Sequence, residues 1–417
     1  MNHPLNIFVP HCSGCLTDVL PHGDGLVAHG FITRLAERGH RLYVAAERVE
    51  LSKPLPENVR LFPTEATLSS GAANRLSYMF RVRYLFHRLR KEVRLDLIHQ
   101  LNPVYTGISL ALWGSRLPVV LGPYVADWPH DPDAITSSRP ALRAVLGQAK
   151  KVAALVQQIN ADAILLTTEA ARQRVILADH WKPPVRFLPH GIDSDFFAPA
   201  ASDSSTVATA EKAVILFYAN VSVRKGIFEV LRAFEILGSE FPSAELCVAG
   251  DGEQLNAARD FASHLQVGSR IRFLGRQSRE DAVKLMRQAQ IYCLASHGEP
   301  YGMTVVEAMS CGLPVVVTDA GGARYLIDDA GGLRVPVKSP SSLAEAITTL
   351  LANPELRRGM GLRNRQRVLE DFSWDKVVDR LEEIYRFRLE CARGSQLQGN
   401  VARTQLAESL TNGGEGR

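Results

Sequence analysis

Ten apolar runs of four to six residues recur along the 417-residue chain, and helical stretches separate most of them, which leaves few architectures open. In the first half they are residues 6–10, 41–46, 96–99, 118–121 and 163–167; in the second, 214–218, 244–249, 271–274, 291–294 and 314–318. The connections are too long for hairpins and long enough for helical crossovers, so the strands are expected to pair in parallel under helices. Runs that are apolar throughout suit strands buried on both faces.

The two series are separated by residues 200–212, rich in Ala, Ser and Thr and without apolar periodicity. The alternation therefore predicts an α/β protein with two Rossmann-like domains, at residues 1–195 and 213–372, joined by a linker at 196–212. Val377–Leu389 places apolar residues at helical spacing and predicts a closing helix over 373–390 that packs back toward the first domain. Residues 391–417 are dominated by Gly, Ser, Asn and Gln, and the expectation for them is disorder.

Charge and cysteine usage narrow the partners. The 48 Lys and Arg against 44 Asp and Glu leave only +4, too little to argue for nucleic acid. The six Cys are scattered and no secretory leader precedes them, so a cytoplasmic chain without disulfides is expected. The longest apolar neighbourhood, Val104–Tyr124, is interrupted by Arg116, Gly and Pro and is not read as a membrane span. Residues 74–95 carry seven Lys or Arg against one Glu, interleaved with Tyr78, Phe80, Tyr84 and Phe86. That pattern suits either a solvated helix or one lying on an anionic membrane surface, peripherally at its inner face. Leu76, Met79, Phe80, Phe86, Leu89 and Val93 share one helical arc.

The chemistry concentrates in His297–Gly322. This segment leaves a strand, passes a turn containing Pro300 and Gly302, and enters a helix near Met303. The free backbone N–H groups of such a helix start favour phosphate. Glu299 precedes those amides, and Glu307 lies more than a turn inside the helix with Thr304 on the same side. A carboxylate accepts hydrogen bonds from two neighbouring hydroxyls, so one Glu can hold a sugar and the other a ribose with a diphosphate between them.

At these residues the chain resembles glycosyltransferase family 4 (group 1), the GT-B enzymes whose mark is two Glu separated by seven residues, the first followed by Pro, an aromatic residue and Gly. Glu299 and Glu307 have that spacing, and Gly302, Ala308, Met309, Gly312 and Pro314 fit the flanks. His190-Gly-Ile-Asp193, Lys225-Gly226, Phe273-Leu-Gly275, Gly321-Gly322 and Phe372-Ser-Trp-Asp375 follow the family's order. The resemblance implies parallel-sheet domains facing a central cleft, the first binding the acceptor and the second a nucleoside diphosphate sugar. It implies transfer with retention of anomeric configuration, with no cofactor and no metal, in lipid-linked or cell-surface glycan synthesis. By position, Glu307 would hold the donor ribose, Glu299 the donor sugar and Lys225 the diphosphate. Amides of Tyr301, Gly302, Met303 and Thr304 would cradle phosphate and sugar oxygens, Gly23 and Gly25 would form the first domain's donor-facing loop, and the base would lie near Gly250 and Arg276.

Two departures bear on catalysis. Ala219-Asn220-Val221 stands where relatives have Gly-Arg-Leu, so Asn220 brings hydrogen bonds without charge and Arg224 is the cation that can compensate. Gly122-Pro-Tyr-Val125 replaces a common His-Gly or His-Asp, leaving the acceptor side without an assigned His. Gly23-Asp-Gly-Leu-Val-Ala28 with Glu47 also fits a dinucleotide-binding fingerprint, but about a dozen residues separate it from the first strand, too many for that tight turn. Cys12 and Cys15 lack the second ligand pair of a zinc site. A nucleotide-sugar epimerase and a non-catalytic sugar-nucleotide binder are the alternative functions.

Overall fold

The computed structural model describes residues 3–19, 23–64, 72–104, 107–128, 140–176, 184–200 and 213–412; within these, side chains of 72–73, 140–147 and 394–412 are not described. The first domain contains β1 (Asn6–Val9), β2 (Leu16–Thr17), α1 (Gly23–Glu37), β3 (Arg41–Ala46), β4 (Val49–Glu50), β5 (Val59–Pro63), α2 (Ala72–Glu92), β6 (Leu97–Gln100), β7 (Val119–Tyr124), α3 (Pro140–Ile159), β8 (Ala163–Leu166) and β9 (Val185–Phe187). Seven of these strands form one sheet in the order β5-β3-β1-β6-β7-β8-β9, every pair parallel. β5 and β9 are edge strands that the apolar pattern alone does not reveal, because exposed positions such as Arg60 and Arg186 interrupt it.

The second domain contains β10 (Val214–Tyr218), α4 (Ile227–Leu237), β11 (Glu245–Ala249), α5 (Leu255–Ser263), β12 (Ile271–Gly275), α6 (Arg279–Gln288), β13 (Ile291–Leu294), α7 (Met303–Ser310), β14 (Val315–Thr318), β15 (Gly332–Val335), α8 (Pro340–Ala352) and α9 (Pro354–Arg367). Its sheet runs β12-β11-β10-β13-β14-β15, again wholly parallel. The central strands are buried on both faces, and α4 presents Ile227, Val230, Leu231, Phe234 and Leu237 to this core at helical spacing. In each sheet the chain order reverses beside the first strand, at β1/β6 and at β10/β13. Loops leaving the carboxyl ends of strands diverge at such a point and open a crevice.

A final helix, α10 (Trp374–Asn412), returns to the first domain. Val377, Val378, Leu381 and Tyr385 are buried among residues of α1, β1 and β3. Arg38 bonds Asp375 and Asp379 at 3.2 and 2.9 Å, and His40 meets Glu382 at 3.1 Å. Trp374 stacks edge-on against Phe31, 5.1 Å between ring centroids, and a Cβ on Gly30 would lie 2.1 Å from its ring. The helix is longer than the expected 373–390. Residues 391–412 contain no Pro and many good helix formers, so local propensity carries the helix onward.

Two local readings change. Gly23 and Gly25 occupy the first turn of α1, not a loop before it. In α2 the buried stripe is Tyr78, Val82, Phe86 and Leu89, whereas Leu76, Phe80 and Tyr84 are 54%, 71% and 72% exposed. The Tyr78 hydroxyl donates to the Pro10 carbonyl at 3.0 Å, which satisfies the polar end of a buried ring and sets the helix rotation. Among the described residues no helix is long and apolar enough to cross a membrane.

Candidate active site

The site is assembled at the β10/β13 switch point from two loops locked together by their backbones. The Arg224 carbonyl accepts from the His297 amide at 2.8 Å and the Ser296 hydroxyl at 3.1 Å. Gly226 takes φ 75°, and a Cβ there would stand 1.9 Å from the Ala295 carbonyl oxygen, so only glycine permits this approach. His297 Nε2 lies 3.1 Å from Glu229 Oε1, tying the loop to α4. The clamp delivers Lys225 Nζ to the Glu299 carboxylate, an ion pair whose acid is 7% exposed.

Glu299 is in turn held from behind. The Gly322 amide donates to its carbonyl at 2.6 Å, and a Cβ on Gly321 would lie 2.3 Å from that oxygen. Gly302, at φ 106°, then turns the chain into α7. Tyr301 points away from the crevice: its ring stacks on His190 at 4.6 Å, and its hydroxyl accepts from the His190 amide at 3.1 Å. Met303 packs against the apolar clusters of both domains. The Thr304 hydroxyl accepts from Tyr292 at 2.7 Å, leaving it engaged within the second domain.

Just over one turn into α7, Glu307 is partly accessible yet set deeply in protein. Burial pushes its carboxyl from an ordinary 4.5 up to about 7, opposed by the positive charge of Arg279. The same burial, with Glu307 nearby, raises the Tyr218 hydroxyl to about 12. The second domain thus offers an ion-paired carboxylate at Glu299 and a reluctantly ionised one at Glu307, with the start of α7 between them.

The remaining expected residues surround this centre at different depths. Arg224 and Asn220 are exposed at the crevice mouth, and Lys225 is half-buried. A Cβ on Gly250, at φ 144°, would stand 1.9 Å from the Ala219 carbonyl oxygen, so glycine is what lets this loop lie beside the Asn220 loop. Arg276 is exposed and sits 4.0 Å from Asp251. Gly23 and Gly25, as helical residues, do not form the expected loop; α1 nevertheless places His29 where it feels the charge of Arg279. Cys12 and Cys15 are buried free thiols, Cys12 pushed up to about 12 by burial.

Residues that the sequence did not single out complete the arrangement. Trp128, from the segment after β7, lies over both cations, 4.7 Å from Arg224 Cζ and 5.0 Å from Lys225 Nζ. It joins the first domain to the cations beside Glu299. Arg279, the cation facing Glu307, begins a helix 28 positions earlier, and no local signal marks it. Tyr218 and Tyr292 read only as strand residues.

Comparison with known proteins finds matches for both halves of the chain. The pattern described as glycosyl transferases group 1 matches residues 201–367, and that described as Glycosyltransferase Family 4 matches residues 23–196. A D-inositol 3-phosphate glycosyltransferase from Saccharomonospora viridis is 30% identical over 268 residues; the match covers 61% of this chain and 61% of that protein, so the chain spans about three fifths of the relative's length. Among solved structures, sucrose-phosphate synthase from Thermosynechococcus elongatus superposes with a TM-score of 0.67 at 20% identity, covering 94% of this chain and 100% of the other. The Anabaena protein HepE, solved in complex with UDP, gives 0.68 at 19%, covering 91% and 98%. With both halves matched by their family patterns and two parallel-sheet domains of the GT-B kind, the chain belongs to the group 1 glycosyltransferases.

Proposed function

We propose that the chain transfers a sugar from a nucleoside diphosphate sugar to an acceptor hydroxyl, with retention at the anomeric carbon. The observation that carries this reading is the Lys225–Glu299 pair at the crevice, with Glu307 just over one turn into the adjoining helix. Without donor, the pair compensates its own charge. A diphosphate offers Lys225 a stronger partner, and the freed Glu299 carboxylate can then accept from sugar hydroxyls. Glu307, in its ionised form, accepts from the two ribose hydroxyls. Amides at the start of α7 meet phosphate oxygens, and Arg224 supplies the charge that Asn220 lacks.

These groups act on a charge that grows during the reaction. As the anomeric carbon loses the diphosphate it becomes cationic and the leaving oxygen anionic. Fixed cations and amides beside that oxygen stabilise it with little reorganisation. No metal and no covalent nucleophile on the protein is required by this scheme.

The setting we propose is a glycan or lipid-linked acceptor at the inner face of an anionic membrane. Exposed Leu76, Phe80 and Tyr84 on α2, and Trp113 beside it, 66% exposed, share a surface with Arg83, Arg88 and Lys91. Arg83 donates to the Ala111 carbonyl at 2.7 Å, which joins the helix to the Trp113 turn. Apolar side chains flanked by cations suit an anionic interface.

The test is to measure melting temperature with UDP, GDP and their sugars, then nucleotide release with and without acceptor. Stabilisation by one nucleotide and acceptor-dependent release is the expected result. A new sugar nucleotide formed from donor alone would identify an epimerase, and binding without turnover a non-catalytic binder; either overturns the proposal.

A further inference from the structure

A cavity of about 550 Å³ opens between the two domains, walled by Asp127, Trp128 and Gln173 from the first and by Gly298, Arg324 and Tyr325 from the second. It adjoins the donor residues directly: Gly298 precedes Glu299, and Trp128 lies over Lys225. Its size falls within the usual range for a small-molecule site. No residue assigned above to base, ribose or diphosphate lines it.

The walls have a specific chemistry. Trp128 and Tyr325 offer aromatic surface from opposite domains, and Tyr325 is 40% exposed. Each wall charge carries its own counter-charge. Asp127 Oδ1 is held by Arg174 Nη1 at 2.6 Å; Arg324 Nε meets Asp319 Oδ1 at 3.1 Å and its guanidinium lies 5.2 Å from the Tyr325 ring centre. A phosphorylated ligand would find no unopposed cation on these walls. A neutral pyranose would find what it needs, aromatic faces of negative potential for its C–H surface and paired polar groups for its hydroxyls.

We infer that this cavity is the acceptor subsite and that it takes a neutral pyranoside, its ring against Trp128 and Tyr325 and its reactive hydroxyl toward the Glu299 loop. The inference rests on the glycosyl-transfer reading. In the step it serves, the acceptor oxygen bonds to the anomeric carbon while the bond from that carbon to the diphosphate oxygen breaks, the electron pair leaving with the diphosphate. The acceptor proton passes to the departing diphosphate oxygen.

The experiment uses saturation-transfer NMR of the full chain with methyl α-D-glucopyranoside, methyl α-D-mannopyranoside and methyl α-D-galactopyranoside, and with myo-inositol against myo-inositol 1-phosphate. At least one neutral pyranoside should bind, about fivefold more weakly to Tyr325→Ala, as expected for loss of one aromatic contact. UDP and GDP affinities, measured separately by calorimetry, should stay within about twofold, because Tyr325 touches no donor residue named here. Trp128→Phe should retain pyranoside binding better than Trp128→Ala. No pyranoside binding, equal binding by Tyr325→Ala, or a preference for the phosphorylated inositol over its neutral form overturns the inference. If neither nucleotide binds the native chain, the transfer reading fails and the acceptor role with it, while the pyranoside titration still reports on the cavity.

Discussion

Replacing Glu307 by Gln keeps the shape of the side chain and removes its charge, so it separates what the carboxylate does for folding from what it does for the donor. Burial raises this carboxyl from 4.5 to about 7. The folded protein therefore holds the proton more tightly than the unfolded chain. A penalty for ionisation is absent below about pH 4.5, grows between 4.5 and 7, and is constant above that. At roughly 1.4 kcal/mol per pH unit of separation it reaches on the order of 3 kcal/mol by pH 8. Glu307→Gln lacks this penalty, so relative to the native chain it should be no more stable at pH 4.5 and increasingly more stable toward pH 8. For a domain of this size the gain in Tm is roughly 6 to 12 °C. The same variant should bind the nucleoside diphosphate sugar some ten- to a hundredfold more weakly, since one amide oxygen replaces a charged acceptor of two hydroxyls. In the native chain, affinity should fall as pH drops below about 7, as Glu307 takes up its proton. The measurements are thermal unfolding across pH 4.5 to 8 and calorimetric titration with donor. Parallel pH profiles for the two proteins would refute the desolvated carboxylate, and unchanged donor affinity would refute its contact with ribose.

Lys225→Ala leaves the buried Glu299 carboxylate without its cation and should destabilise the fold by roughly 1.5 to 3 kcal/mol, read by urea unfolding. Adding Glu299→Gln should restore most of that stability without restoring transfer; if the double variant is no more stable than the single, the pair is not the cause. Gly226→Ala places a Cβ at φ 75° against the Ala295 carbonyl and should cost more than about 2 kcal/mol, with loss of activity because the Lys225 clamp must shift. An unaltered Tm would show that the loop has room. Replacing Leu76, Phe80 and Tyr84 together by Ser should leave Tm nearly unchanged and abolish co-sedimentation with phosphatidylglycerol vesicles. Equal sedimentation would exclude this face as the membrane contact.

The reading of α2 shows how far periodicity reaches. Its helical character follows from the spacing of apolar residues, but its rotation does not, because Tyr78 and Phe80 are both large aromatics and either could face inward. The buried acceptor at Pro10 selects Tyr78, whose hydroxyl needs a partner, and leaves Phe80 outside. A similar limit applies at Gly23 and Gly25, where glycine spacing suggests a loop and the chain forms a helical turn. Edge strands escape notice for a related reason: half-exposed strands admit charges, and β5 carries an exposed Arg60.

The sequence by itself determined the doubly repeated α/β alternation and the pair Glu299 and Glu307, because strand burial, helix crossover and the turn into α7 are encoded within a few tens of residues. Tertiary structure alone decided which cation meets which acid. Lys225 reaches Glu299 across 74 positions because two loops diverge at one switch point, and the charge of Arg279 acts on Glu307 because α6 packs against β10, whose Tyr218 feels both groups. Trp128 meets Arg224 and Lys225 across the two domains, which are joined by α10, packed in the first domain through Tyr385 and Trp374, and by Met303, which packs against both cores. Interactions between loops of different domains depend on relative placement, and no local pattern of residues contains that information.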